Sequence, residues 1–274
     1  MSFNFCVLSS GSGGNVSLVW TKEGAVLIDC GRSGKYISEE LAALGISPKD
    51  LTAAVITHAH IDHISESGLN FLIKNDIALY SHNDILDDIC DKFGQKVRDC
   101  RMISFDSSFN IKNIDIDYFP VHHKDISVSK TLGFTLSSKV AGQTYKIGYA
   151  TDTGKVCKNM AQKLAGSNIL VIESNYDKEM LNSSFRPREN KKWILSDSGH
   201  LSNEASAAAV ADIKEISKVK DSLKYVFLAH LSAHHNYPEL ALKVSQDELT
   251  KRKISDVRLF CAKRDSRSQT IKIG

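Results

Sequence analysis

The stretch that decides the fold is rich in histidine and reads Val55-Ile56-Thr57-His58-Ala59-His60-Ile61-Asp62-His63. The apolar, β-branched residues at its start predict a buried strand over residues 53–57. Because side chains alternate along a strand, His58 and His60 can point to the same side as the chain leaves the sheet. Imidazole nitrogens and carboxylate oxygens are ligands that zinc, manganese and iron accept. The stretch therefore predicts a metal site at the end of a strand.

The composition is that of a globular protein with a sizeable core. The chain has 274 residues, of which 42% are hydrophobic and 24% are charged. Only 4 prolines are present and there is no Pro-, Gly- or Ser-rich linker, so we predict one domain over residues 1–274. The net charge of +3 permits an anionic substrate but is too small to imply a large DNA-binding surface.

The sequence also bears on the location of the protein. No segment reaches the roughly 18 apolar residues needed to span a bilayer, and the first residues lack the basic and apolar regions of a secretion signal. The 6 cysteines are scattered without C-x-x-C spacing, which is typical of reduced thiols. We therefore predict a cytoplasmic protein without membrane contact, and no particular oligomeric state.

The order of predicted strands and helices favours mixed sheets covered by helices. Three of the later strands are predicted to end in side chains suited to metal binding or to proton transfer. These side chains are Asp152 after 145–149, Glu173 after 169–172 and His230 after 224–228. Asp152 could bridge two metals because its two oxygens can each reach one ion, although a turn or a helix N-cap would also suit it. His200 precedes an alanine-rich helix, where it could act in a cleft.

Two loops are candidates for contacts with a substrate. The loop over residues 9–15 is rich in glycine and serine and could line a cleft with its backbone N–H groups and with Asn15, although a plain hairpin loop would look the same. Residues 178–193 are predicted to form an irregular, basic insertion, which is either a solvated loop or a platform for phosphates with Trp193 available for stacking. Asn175 and Lys192 are the candidate substrate contacts in this region. The last strand is predicted over 257–261.

Together these motifs resemble those of the metallo-β-lactamase-fold hydrolases. The combination of Thr-Asp-Thr-Gly (151–154), Glu-Ser-Asn-x-Asp (173–177) and Gly-His-Leu-Ser-Asn (199–203) is most similar to the YycJ-like branch, which is related to the tRNA 3′-processing endonucleases. The resemblance implies an α/β fold, a four-layer αββα sandwich of two mixed β-sheets flanked by helices. Ala59 departs from the family pattern, in which glutamate is common, and Tyr176 stands where the branch often has histidine.

The resemblance implies a complete site for two divalent ions, either zinc, manganese or iron. His123 is preferred to its neighbour His122, because in the family this element ends in a histidine followed by an acidic residue. The implied ligands are His58, His60 and His123 for one ion, Asp62, His63 and His230 for the other, and Asp152 as the bridge between them.

The resemblance also implies a reaction. Two ions would convert a shared water into hydroxide, the nucleophile, and His200 would protonate the leaving alkoxide with Glu173 orienting its imidazole. Asp62, His200 and Glu173 are the predicted catalytic residues. We predict a phosphodiesterase that acts on nucleic acid, specifically a YycJ-like DNA exonuclease. The alternative is a small-molecule hydrolase of the same fold, acting on a cyclic phosphodiester, a lactone or a thioester.

Overall fold

Two seven-stranded β-sheets form the centre of the molecule, for which the computed structural model describes residues 2–123, 127–219 and 222–274. The strands of the first sheet are β1 (Phe3–Ser9), β2 (Val16–Trp20), β3 (Ala25–Ile28), β4 (Leu51–Val55), β5 (Ala78–Ser81) and β6 (Met102–Ser104). The second sheet contains β7 (Phe109–Ile111), β8 (Ile114–Pro120), β9 (Leu132–Val140), β10 (Gln143–Ala150), β11 (Ile169–Glu173), β12 (Tyr225–Ala229) and β13 (Arg258–Cys261). The chain then returns to the first sheet as β14 (Ile271–Ile273).

The order of the strands brings several functional strand ends together. The first sheet runs β14-β1-β2-β3-β4-β5-β6, and β3 to β6 are parallel. The second runs β13-β12-β11-β10-β9-β8-β7, and β10 to β13 are parallel. The carboxyl ends of parallel neighbours lie at one edge of a sheet. The two sheets meet at this edge, where Leu132 N donates to Thr57 O over 2.9 Å.

Eight α-helices occur in the described residues and form the outer layers. They are α1 (Gly34–Ala43), α2 (Glu66–Lys74), α3 (Asn83–Phe93), α4 (Lys158–Leu164), α5 (Lys178–Ser183), α6 (Arg188–Ile194), α7 (Asn203–Ile216) and α8 (Pro238–Lys251). Short 3₁₀ turns cover Pro48–Asp50 and Gly94–Val97. The apolar sides of α1, α2 and α3 pack on the first sheet, and those of α4, α7 and α8 pack on the second. No helix within these ranges combines the length and apolar character needed to cross a bilayer.

The main core lies between the sheets. The rings of Phe5 in β1 and Phe227 in β12 meet edge to face, with centroids 5.5 Å apart. In β11, Ile169 and Val171 face this core, whereas Leu170, the residue between them, faces the helices. That alternation follows from the two-residue period of a strand. The four-layer αββα arrangement predicted for this chain is confirmed, and its description as a single domain stays a prediction.

Two local predictions were wrong. Residues 178–193 are not irregular but contain α5 and α6, each too short to show a helical pattern of apolar residues. Asp177 caps α5 by accepting from Met180 N over 2.8 Å, and the fixed φ of Pro187 suits the entry to α6. The strand predicted over 257–261 is also not the last of the chain, since Ile271–Ile273 follows it and pairs antiparallel with β1 in the first sheet.

Candidate metal centre

The histidine-rich stretch leaves β4 at the sheet edge and is fixed by a buried carboxylate from the neighbouring strand. Asp29 follows β3 and accepts from Thr57 N (2.8 Å), Thr57 Oγ1 (2.9 Å) and His63 Nδ1 (2.8 Å). Both Asp29 and His63 are fully buried. The Nδ1 bond sets the orientation of the His63 ring and leaves Nε2 facing the centre.

Three histidines form the first candidate metal position. Ring nitrogens of His58, His60 and His123 all lie within 4.8 Å of one another. His123 is buried and donates Nδ1–H to Gly199 O over 3.1 Å, while its Nε2 has no hydrogen-bond partner among the described residues. A buried nitrogen without a hydrogen-bond partner suits a metal ligand. His122 is exposed and belongs to no such group in the described part of the chain, so the geometry favours His123 as the sequence predicted.

A second candidate position lies beside the first. Ligand atoms of Asp62, His63 and His230 lie within 4.8 Å of one another, with His230 Nε2 at 3.4 Å from Asp62 Oδ2. Asp152 is almost fully buried, and its Oδ2 lies 3.1 Å from His63 Nε2. Asp152 also groups with His58 and His63, so its carboxylate lies between the two positions. These residues could therefore hold a pair of divalent cations with a shared carboxylate.

A single buried carboxylate, that of Glu173, organises the second sheet's side of the centre. Its Oε1 accepts from the Nδ1 atoms of His200 and His230, each at 2.8 Å. Its Oε2 accepts from Thr153 N (2.9 Å) and Leu201 N (3.1 Å). Glu173 also groups with Asp152, His200 and His230 as a set of possible metal ligands, but both of its oxygens already accept from protein donors, which favours a positioning role.

The histidines of the two positions have pKa values that are shifted in opposite directions. Burial, followed by the proximity of His63, lowers the pKa of His58 well below its usual range, and burial also lowers the pKa values of His60 and His123. Neutral imidazoles have the free electron pair that a metal requires.

At the second position, burial lowers the pKa values of His63 and His230, but nearby carboxylates raise them by more. The carboxylate of Asp152 makes the largest contribution that raises the pKa of His63 and of His230 well above the usual range. The pKa of Asp152 is correspondingly held well below its usual value by His230 and His63, against burial. A divalent cation there would replace the imidazole protons, because only the deprotonated ring nitrogen can bind it.

The three predicted substrate contacts differ in how far they are exposed. Asn15 is fully buried, donates Nδ2–H to Asp62 Oδ2 over 3.2 Å and accepts at Oδ1 from Gly11 N over 2.8 Å. This position favours a supporting role, and substrate binding by Asn15 stays a prediction. Asn175 is half-buried and donates to His230 O over 2.7 Å. Both side chains hold metal-centre residues in place. Only Lys192, which is exposed on α6, is open to a substrate.

Trp193, which one reading of the sequence made available for stacking, lies against the histidines of the centre. Its ring is half-buried, perpendicular to that of His200 with centroids 5.3 Å apart, and 5.7 Å from that of His123. It packs on a small cluster of Tyr176, Leu181 and Ile194. Trp193 therefore supports two histidines of the centre rather than presenting a free face for stacking.

Two supporting residues were missed in the sequence. Asp29 stands directly after β3, and the rule that carboxylates gather at the ends of parallel strands could have found it. Ser10 Oγ accepts from His230 N over 2.9 Å, a contact between residues 220 positions apart that no local pattern indicates.

The fold and the site define the class of protein. Residues 25–220 match the family model described as the beta-lactamase superfamily domain, and the chain belongs to that family. It is a metallo-β-lactamase-fold hydrolase.

Relatives and solved structures agree with this membership. The chain is 34% identical over 249 residues to exodeoxyribonuclease YycJ of Bacillus anthracis, covering 90% of this chain and 89% of that protein. It is 34% identical over 244 residues to exodeoxyribonuclease WalJ of Streptococcus pneumoniae serotype 2, covering 88% of this chain and 86% of that protein. The crystal structure of the metallo-beta-lactamase fold protein YhfI from Bacillus subtilis superimposes with a TM-score of 0.70 at 14% identity, covering 99% of this chain and 100% of that one. This last similarity supports the fold alone.

Proposed function

We propose that this protein is a two-metal phosphodiesterase that degrades DNA as an exonuclease. The observation that carries the reaction type is the pair formed by Glu173 and His200, with Nδ1 and Oε1 2.8 Å apart beside the candidate metal positions. The names of the two relatives, each 34% identical over most of the chain, support DNA as the substrate. They also support a cytoplasmic location.

The residues of the centre suit zinc, manganese or iron. His58, His60 and His123 would hold one ion, Asp62, His63 and His230 the other, and Asp152 would bridge them. When bound, such ions make hydroxide available at neutral pH and neutralise the negative charge that develops on a scissile phosphate.

The proton for the leaving oxygen comes from His200. Its Nδ1–H bond to Glu173 fixes the orientation of the ring, so that Nε2 is the nitrogen that can carry the proton that is transferred. The side chain of His200 is 14% exposed whereas that of Glu173 is fully buried. A substrate can therefore reach His200 but not its partner, which makes His200 the general acid and Glu173 the group that orients it.

The test is a comparison of substrates. Purified protein is incubated with end-labelled single-stranded DNA, double-stranded DNA, RNA and a chromogenic phosphodiester, in Mn²⁺ or Zn²⁺ and with a chelator as the control. We expect metal-dependent loss of nucleotides from a DNA end. Hydrolysis of the small ester alone would refute the nuclease and favour the small-molecule hydrolase.

A further inference from the structure

Phe185 is a large apolar side chain that packs against none of the residues that the structure describes. It is fully exposed at the turn between α5 and α6, in a segment that we call the arm, residues 177–194. Exposed aromatic side chains combined with basic residues are typical of surfaces that bind single-stranded nucleic acid, because bases stack on the rings while the charges contact phosphates.

The turn that carries Phe185 is held in one shape by the rest of the arm. Lys191 Nζ donates to the carbonyl oxygens of Asn182 (2.7 Å) and Ser184 (2.6 Å), which closes the turn from the side of α6. At the base of the arm, Asp177 N donates to His235 O over 2.8 Å, and Leu181 is buried. Phe185 is thus held on a rigid turn. Because the turn is already ordered, less conformational entropy is lost when a base stacks on the ring.

The surroundings of Phe185 are positively charged. Residues 185–192 contain 4 basic side chains and 1 acidic one. Arg186, Arg188 and Lys192 are exposed, and none of them forms an ion pair within the described ranges. Arg188 is the first residue of α6, where the helix dipole disfavours a positive charge. These charges contribute little to the stability of the arm and are available for phosphates.

The arm leads directly to the metal centre. At the far end of α6, His200 N donates to Ile194 O over 3.1 Å, and the ring of Trp193 contacts that of His200. The 7 residues of α6 span about 10 Å at about 1.5 Å per residue. A strand that keeps the base stacking of B-form DNA rises about 3.4 Å per nucleotide, so α6 corresponds to about three stacked nucleotides.

We propose that Phe185 stacks on a base of the DNA strand about three nucleotides from the scissile bond, while Arg186 and Arg188 contact the phosphates on either side of it. This subsite rests on the proposed nuclease function and specifies it further, since it makes a single-stranded segment of at least about four nucleotides the preferred substrate. Stacking requires an aromatic face and not merely an apolar one, which makes the proposal testable by substitution.

The experiment compares Phe185→Leu with Phe185→Trp in the full-length protein. Dissociation constants for a labelled 20-nucleotide single strand are measured by fluorescence anisotropy in a chelator, where no cleavage occurs. We expect Phe185→Leu to weaken binding by about fivefold to 100-fold and Phe185→Trp to retain it, because stacking on an aromatic contributes that much per base. The ratio of kcat/KM for the 20-nucleotide strand to kcat/KM for a dinucleotide should fall at least about fivefold in Phe185→Leu.

The charges are tested separately with a matched control. The double variant Arg186→Ala/Arg188→Ala should reduce the magnitude of the slope of log Kd against log salt by about 1.4, or about 0.7 for each phosphate contact. The control Lys139→Ala/Arg258→Ala also removes two exposed positive charges. Both lie at the ends of β9 and β13 that point away from the metal centre, so this control should leave the slope unchanged.

Failure of this inference can be distinguished from failure of the proposed function. If the parent protein degrades DNA and Phe185→Leu binds and cleaves DNA as well as the parent does, the stacking subsite is refuted and the nuclease function stands. If no variant cleaves DNA but Phe185→Leu still weakens binding selectively, the subsite stands and the nuclease assignment is refuted. Equal slopes for the arm and control variants would overturn the phosphate contacts.

Discussion

Replacing Glu173 by glutamine tests whether this carboxylate decides which ring nitrogen of His200 and His230 carries the proton. Four donors meet at this carboxylate: the Nδ1 atoms of His200 and His230 at Oε1, and the backbone N–H groups of Thr153 and Leu201 at Oε2. Glutamine offers one acceptor oxygen and one NH₂ donor in the same space. If the NH₂ faced the two backbone amides, two buried donors would lose their acceptor, at about 1–3 kcal/mol each.

The amide therefore turns its NH₂ towards the two imidazoles, because an imidazole can move its proton to the other nitrogen whereas a backbone amide cannot. That rotation makes Nδ1 an acceptor and places the proton of His230 on Nε2, the nitrogen that faces Asp62. A protonated nitrogen cannot bind a metal. We expect metal affinity at the second position to fall about 10- to 100-fold, and turnover to fall about 10²- to 10⁴-fold because the negative charge of Glu173 beside His200 is lost.

The assay combines metal content by mass spectrometry, a metal titration, and kcat on labelled DNA. Glu239→Gln makes the same chemical change at an exposed position and serves as the control. His200→Ala separates the two effects, since it removes the acid but none of the metal ligands. Full metal affinity together with full turnover in Glu173→Gln would refute the assigned roles of both histidines.

Three further predictions concern the metals, the acid and a surface ion pair. Purified protein should contain about two divalent ions per chain. When the ions have been removed with a chelator, adding metal at 100 times its Kd should raise the free energy of unfolding by about 2.7 kcal/mol per site. Protein that contains no metal and is not stabilised by it would contradict the ligand set. His200→Ala should keep both ions yet lose most of its turnover on DNA, and unchanged turnover would rule out its role as the acid. Hydrogen bonds from Lys224 and Lys214 lower the pKa of Asp256 to about 2, below its unfolded value, so its contribution to stability is present above about pH 4 and is lost as the pH falls towards 2. Asp256→Asn should therefore lower the free energy of unfolding at pH 7 by less than about 1 kcal/mol, because the pair is partly exposed, and urea unfolding at pH 3 should show a smaller difference than at pH 7.

The layers of the fold and the ligand residues could be predicted because their signals are local. An apolar strand followed by histidines or a carboxylate is visible within ten residues, as at His58, Asp152 and His230. The sequence did not reveal which polar residues serve these ligands. Asn15 resembled a loop residue open to substrate, and only its burial against Asp62 shows its supporting role.

Long-range pairing was equally hidden. The three residues of β14 pair with β1 across more than 260 positions, and a strand so short has no period of its own. The helices of the arm were missed because six or seven residues complete fewer than about two turns, which is too few for a recurring apolar face. Leu181 and Ile194 anchor those helices through tertiary contacts, which a local pattern does not reveal.

Each candidate metal position takes two ligands from the first sheet and one from the second. His58 and His60 are joined by His123, and Asp62 and His63 are joined by His230. An ion in either position would thus cross-link the two halves of the sandwich, and its affinity would depend on how those halves are spaced. The packing of Phe5 against Phe227 in the interior contributes to that spacing, so a change of side-chain volume there should change the affinity for cations, even though neither ring belongs to a candidate metal position.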